Sequence, residues 1–237
     1  MTEKLSTEPP VLTAEIKNAV KDNLKKIFSA ALPQNVTVMA ATKTVAPEII
    51  NYAVTECGLR NIGENRVQEL NEKYDSLMLD GVKLHFIGTL QPNKVKYIIG
   101  RVCLIHSLDS MKLATEISRR SCAAGIVTDT LCEVNIGNET AKGGIAEDDA
   151  EAFIKSVSSL DGIRIKGIMV IGPHCDTLDG YRPFFERTRQ LYDKLRLLGL
   201  FGDTPVLSMG MSDNYQLAIE YGSTLIRPGS AIFGKRN

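Results

Sequence analysis

The chain has 237 residues, 43% hydrophobic and 24% charged, with 28 basic and 28 acidic side chains and a formal net charge of zero. That balance is ordinary for a globular protein, shows no dense lysine and arginine run, and gives no basis for a nucleic-acid partner. No apolar run approaches bilayer length, and the N-terminus lacks the basic and apolar regions of a signal peptide. The expectation is therefore a cytoplasmic protein without membrane contact.

Residues 1–10 are polar and end in Pro9-Pro10, which reads as a loose arm before a single domain over 11–237. Thr13 can cap a helix whose apolar stripe is Ile16, Val20, Leu24, Ile27 and Ala31, ending before Pro33. From Val36 onward, short apolar runs alternate with helical patterns. The runs predict strands at 36–41, 61–63, 84–87, 104–107, 130–134, 164–169, 206–208 and 224–226, with helical segments at 47–57, 67–74, 93–99, 110–123, 147–160, 181–198 and 213–221. Eight alternations at this length specify an α/β chain closed into a (β/α)8 TIM barrel preceded by an extra N-terminal helix. An open doubly wound sheet would carry a Gly-rich first turn, and none follows strand one. Asn61-Ile62-Gly63 is the least apolar strand, and the fold assignment depends on it.

Five cysteines, Cys57, Cys103, Cys122, Cys132 and Cys175, form an odd set without CxxC spacing. They read as small buried thiols in a reducing compartment, not as a disulfide framework or zinc site.

In such a barrel, functional residues gather where strands end on the carboxyl face. Lys43 stands there, directly after the run VTVMAAT. It is either a lysine that snorkels from a strand end to solvent or an amine that leaves water at the rim and becomes a better nucleophile toward carbonyls. The loops after strands seven and eight supply small residues and hydroxyls, Ser208, Gly210, Gly229 and Ser230, suited to bringing backbone N–H groups onto a phosphate. Ser212 or Asp213 can instead cap the next helix. Strand alternation points Arg227 inward if Gly229 points inward. Arg227 either pairs with a barrel carboxylate or faces a pyridine nitrogen, where a permanent positive charge would weaken the ring as an electron sink. His85 and His106 lie within strands and read as satisfied core or rim histidines, and His174 as part of a solvated loop. Glu64, after strand two, is either solvated, a cap, or a general base.

The segments ATKT around Lys43, NIGEN-VQEL at 61–70, LHFIGTLQPNK at 84–94, SMGMSDN at 208–214 and RPGSAIFG at 227–234 resemble, in order, the pyridoxal phosphate homeostasis protein family, also called the YggS or PROSC family. The likeness runs from about residue 36 to residue 235. It implies a fold-type III barrel like the N-terminal domain of alanine racemase, with pyridoxal 5'-phosphate held as a Schiff base on Lys43. It also implies Arg227 facing the pyridine nitrogen, a phosphate held by Ser208, Gly229 and Ser230, and Asn65 near the ring. Arg66 replaces the family's usual tyrosine and Pro228 its usual β-branched residue.

The family resemblance implies a cofactor carrier or regulator without established catalysis, acting on vitamin B6 balance and exchanging the cofactor with apo-enzymes that depend on it. Two other functions share the scaffold. A racemase would need a second acid/base on the opposite face of the substrate, supplied in alanine racemase by another domain across a dimer interface, and this chain ends just after strand eight. A class I aldolase would use Lys43 directly on a substrate carbonyl. A monomer is expected.

Overall fold

The computed structural model describes residues 12–137 and 143–235, so the expected arm at 1–10 lies outside the described residues. Ten strands are present among the described residues: β1 Thr37–Val38, β2 Ala40–Ala41, β3 Asn61–Glu64, β4 Lys83–Phe86, β5 Leu104–Leu108, β6 Thr128–Asn135, β7 Ile145–Ala146, β8 Ile163–Met169, β9 Val206–Ser208 and β10 Leu225–Ile226. All but β7 follow one path of parallel neighbours, β1-β10-β9-β8-β6-β5-β4-β3-β2. The two ends of that path are halves of the first expected strand, interrupted at Met39. β1 pairs with β10, and β2 pairs with β3. The sheet therefore curls round on a single strand, giving the expected (β/α)8 barrel.

Closure is visible in individual bonds. Thr37 N donates to Thr224 O, Met39 N to Ile226 O and Ala41 N to Pro228 O, while on the other side Thr42 N donates to Gly63 O. Asn61-Ile62-Gly63 is a true strand despite its polarity, because both neighbours hold it in register.

The helices are α1 Ala14–Ala31, α2 Pro47–Thr55, α3 Val67–Lys73, α4 Met111–Ala123, α5 Ala150–Val157, α6 Arg182–Leu197, α7 Tyr215–Glu220 and α8 Ser230–Phe233. Thr13 caps α1, accepting from Ile16 N at 3.3 Å. Val20, Leu24, Ile27 and Ala31 are buried, and Asn23 Nδ2 donates to Ile232 O at 3.0 Å, tying the first helix to the last. Segment 93–99, expected as a helix, is instead a 3-10 turn at Pro92–Tyr97. It is squeezed between Pro92 and Gly100, whose φ of +79° ends it. Leu198 extends past the end of α6 and is exposed.

Strand alternation sorts side chains into two apolar layers. Ala40, Ile62, Ile105, Leu207 and Ile226 face the helices and belong to the main core. Met39, Ala41, Ile87 and Leu225, with Leu104, Leu131 and Met169, form two small clusters apart from it, and by parity they fill the barrel interior. The cysteines do not follow the expected pattern: only Cys132 is buried, and Cys103 and Cys122 are exposed, because they sit at element ends and not within core-facing stripes. Among the described residues no group of three or more His, Cys, Asp or Glu side chains could hold a metal, and no helix is long and apolar enough to cross a membrane.

Gly167 lies within β8 opposite Val206, at φ +153°, where a Cβ would run into the Val206 carbonyl oxygen. Gly167→Ala is expected to lower the unfolding free energy by about 3 kcal/mol or more, since backbone on both sides resists relaxation. Urea unfolding of the variant beside wild type measures this, and a loss under about 1 kcal/mol would show that the strands slide apart more easily than the packing implies.

Candidate functional site

The interior parity of the strands continues onto the carboxyl face. Met39 and Ala41 face inward, so two residues on, Lys43 takes the same side, and Gly63 then Asn65 do so on β3. Leu131 and Glu133 share a side on β6, Val206 and Ser208 on β9, Leu225 and Arg227 on β10. The bond from Ala41 N to Pro228 O, 2.9 Å, sets the Lys43 end of strand one beside residues 227–229. Parity thus sets Lys43, Asn65, Glu133 and Arg227 on the carboxyl side of the barrel, where Glu133 and Arg227 feel each other's charge. Lys43 is exposed at the rim, so burial within the chain alone does not strip it of water.

Arg227 is buried, and its guanidinium is spoken for on two sides: Nη1 donates to Ser208 Oγ at 2.7 Å and Nη2 to Val170 O at 2.9 Å. Ser208 Oγ lies 3.1 Å from His106 Nδ1, His106 Nε2 lies 3.0 Å from His85 Nδ1, and His85 Nε2 lies 3.2 Å from Asn61 Oδ1. An arginine can only donate, so the serine proton must go on to His106 Nδ1. The direction then passes down the line: His106 donates from Nε2 to His85, and His85 donates from Nε2 to Asn61. Both rings are neutral in this arrangement. Burial, first of all, pushes His85 down to about 4 and His106 well below the ordinary histidine range, with Arg227 adding to the effect on His106. Burial also lowers Arg227 to about 10, opposed by Glu133, leaving it charged at neutral pH.

This chain of bonds corrects one expectation. The Ser208 hydroxyl is fully buried and committed to Arg227 and His106, so it holds the arginine and is not a donor toward a phosphate. The histidines are satisfied core groups, as expected, but they satisfy each other.

The loop expectation takes a different form at Ser212. Its Oγ accepts from Gly229 N and from Ala231 N, each at 3.0 Å, so it serves the start of α8 and not α7. Two amides of the last loop therefore converge on one oxygen, an arrangement that suits an anion. Gly229 is partly buried, and Ser230 is exposed at the head of α8. Pro228, lacking an N–H, keeps its carbonyl as acceptor for Ala41, so this departure from the family pattern leaves barrel closure intact. Arg66 is exposed.

Two carboxylates differ from their sequence reading. Glu64 is neither solvated nor a cap: it is fully buried and paired with Lys73 at 3.1 Å. Glu133 was not singled out in the sequence, yet its parity with Leu131 was there to read. With Asp109, Asn135 and Thr89 it lines a cavity of about 170 Å³. Burial and then repulsion from Asp109 raise it to about 7, with Arg227 pulling the other way. Asn65 contributes a buried Oδ1 with no hydrogen-bond partner among the described residues, an acceptor available to a bound group.

Glu133 yields a pH signature. Between its ordinary value of 4.5 and about 7 the folded chain keeps a proton that the unfolded chain has lost, so this group lowers stability as pH rises. A glutamine carries no such penalty. The Tm of Glu133→Gln minus that of wild type is therefore expected to grow by several degrees from pH 4.5 to 7 and then level off, as scanning calorimetry would register; a pH-independent difference would contradict the assignment.

The alanine racemase N-terminal domain family matches residues 17–237. The chain is 43% identical over 199 residues to a pyridoxal phosphate homeostasis protein of Aquifex aeolicus, covering 84% of this chain and 86% of that one. The solved structure of PipY from Synechococcus elongatus with PLP bound shares 30% identity and a TM-score of 0.80, over 91% of this chain and 100% of that chain. Alanine racemase from Corynebacterium glutamicum, at 15% identity, shares the fold alone, with a TM-score of 0.72 over 93% of this chain and 61% of its own. By sequence and by fold, the chain belongs to the pyridoxal phosphate homeostasis protein family, built on the alanine racemase N-terminal domain.

Proposed function

We propose that this chain binds pyridoxal 5'-phosphate at the carboxyl mouth of the barrel, holds it as a Schiff base on Lys43, and serves intracellular PLP homeostasis as a carrier. The observation that carries the reading is the shared parity of Lys43 and Arg227 on the two neighbouring strands that the Ala41–Pro228 bond joins, next to a loop whose amides converge on one oxygen. When bound, the cofactor supplies an aldehyde for amines and a pyridine ring that can accept electrons.

The residues have separable roles. Lys43 would hold the cofactor through Nζ, the amine its aldehyde calls for, one water leaving as the C=N bond forms. Asn65 Oδ1 offers an acceptor at the ring, while the Gly229 amide and Ser230 take the phosphate. Ser208 acts one step back, fixing Arg227. With two of its N–H groups held by Ser208 and Val170, the guanidinium has donors left for a ring nitrogen. A charged donor that does not give up its proton leaves that nitrogen unprotonated, and the ring then withdraws electrons weakly. That electronic setting suits storage and transfer better than carbanion chemistry. The recipients are apo-enzymes that need PLP, the compartment is the cytoplasm, and the working unit is a monomer.

Borohydride reduction followed by peptide mass spectrometry tests the reading. Wild type is expected to carry one pyridoxyl adduct, on the Lys43 peptide. Lys43→Ala should lose it while the apo Tm stays within a few degrees, since an exposed rim lysine contributes little packing. An adduct on another lysine, or none, would refute the assignment. Racemisation of amino acids at about 1 per second or faster would overturn the carrier function.

A further inference from the structure

Lys43 sits in a turn whose geometry is unusual. Val45 N donates to Thr42 O at 3.0 Å, closing the turn, and Thr44 adopts φ +59°. A β-branched residue in the left-handed region is a backbone outlier that persists only where surrounding bonds enforce it. Those bonds come from one group of side chains. Lys73 Nζ donates to Thr42 O at 3.0 Å, to Glu64 Oε1 at 3.1 Å and to Glu69 Oε1 at 2.6 Å. Thr42 Oγ1 donates to Glu64 Oε1 at 2.7 Å. Thr44 N donates to the same Glu69 Oε1. The residues on both sides of Lys43 are thus gripped, Thr42 by Glu64 and Lys73 and Thr44 by Glu69.

Stability alone does not account for this group. Glu64 is fully buried, its Oε2 has no hydrogen-bond partner among the described residues, and burial holds its carboxyl above the ordinary range. Apolar pairs of similar volume commonly replace buried ion pairs at no cost to the fold. What an apolar pair cannot do is bind a peptide carbonyl.

We infer that Glu64, Lys73 and Glu69 are positioning residues that hold the 42–45 turn in its left-handed form and so present Lys43 for covalent attachment of the cofactor. The inference rests on the proposed attachment at Lys43. The three side chains come from the end of β3 and from α3, so the helix after strand two acts as a brace for the residue after strand one.

The test compares wild type with Glu64→Leu/Lys73→Met, which keeps the volume and removes the grip on Thr42 while leaving Glu69 in place. Three quantities are measured: apo Tm, amide hydrogen exchange of residues 43–45 in the apo protein, and the PLP concentration that half-saturates the borohydride-trapped adduct. The double variant is expected to keep its Tm within a few degrees, to exchange those amides at least tenfold faster, and to need about tenfold more PLP. Adding Thr44→Asn, which tolerates positive φ far better than threonine, should recover much of the lost affinity. Unchanged exchange and half-saturation in the double variant would overturn the inference, as would a loss of affinity that Thr44→Asn leaves untouched. If wild type shows no Lys43 adduct while exchange still accelerates in the variant, the attachment reading has failed and the brace has not.

Discussion

The structure depends on a closure made within one strand. The first strand gives its early residues to β10 and its later ones to β3, so the same short segment is both ends of the sheet. A break there would open the barrel and also separate the strand-one lysine from the last loop. Fold and site are therefore coupled through a handful of main-chain bonds, with Ala41–Pro228 nearest the mouth. The contact between α1 and α8 adds a second seam on the outside of the same joint.

Inside the barrel, polarity is organised by one cation. Because Arg227 can only give protons, it imposes a direction on Ser208, His106, His85 and Asn61 in turn. A buried run of polar groups of this length would be a liability if any member were unmatched. Here each one has a partner and both rings stay neutral, so the buried charge is met by a continuous line of hydrogen bonds. The arginine is held by its environment in a single pose, as the proposed role toward a cofactor ring would require.

Much of this was legible in the chain before any coordinates. Alternation of apolar runs and helical stripes gave the barrel, and even the polar Asn61-Ile62-Gly63 took its place because neighbours on both sides supplied the pairing that composition did not. Lys43 was readable as a lysine at a strand end, and Arg227 as inward-facing if Gly229 is. What the pattern could not give was which inward residue meets which. Ser208 and Ser212 look interchangeable as hydroxyls near a phosphate loop, yet one lies under the arginine and the other reaches the α8 amides, a difference set by strand register and not by residue type. Glu64 illustrates the same gap: its partner lies in the next helix, beyond what periodicity specifies. Cys132 is buried as expected, but Cys103 and Cys122 are exposed, because their apolar neighbours suggested burial while their places near element ends denied it.

Ser212 carries a consequence for the last loop. Its hydroxyl already satisfies the Gly229 and Ala231 amides, so on the proposed reading a phosphate taken there would displace an internal ligand and gain only the difference between two acceptors. The departing phosphate, by the same exchange, leaves no orphaned N–H behind. A receptor with such a self-plug gives up some tightness for ease of exchange, a compromise that suits the proposed carrier role.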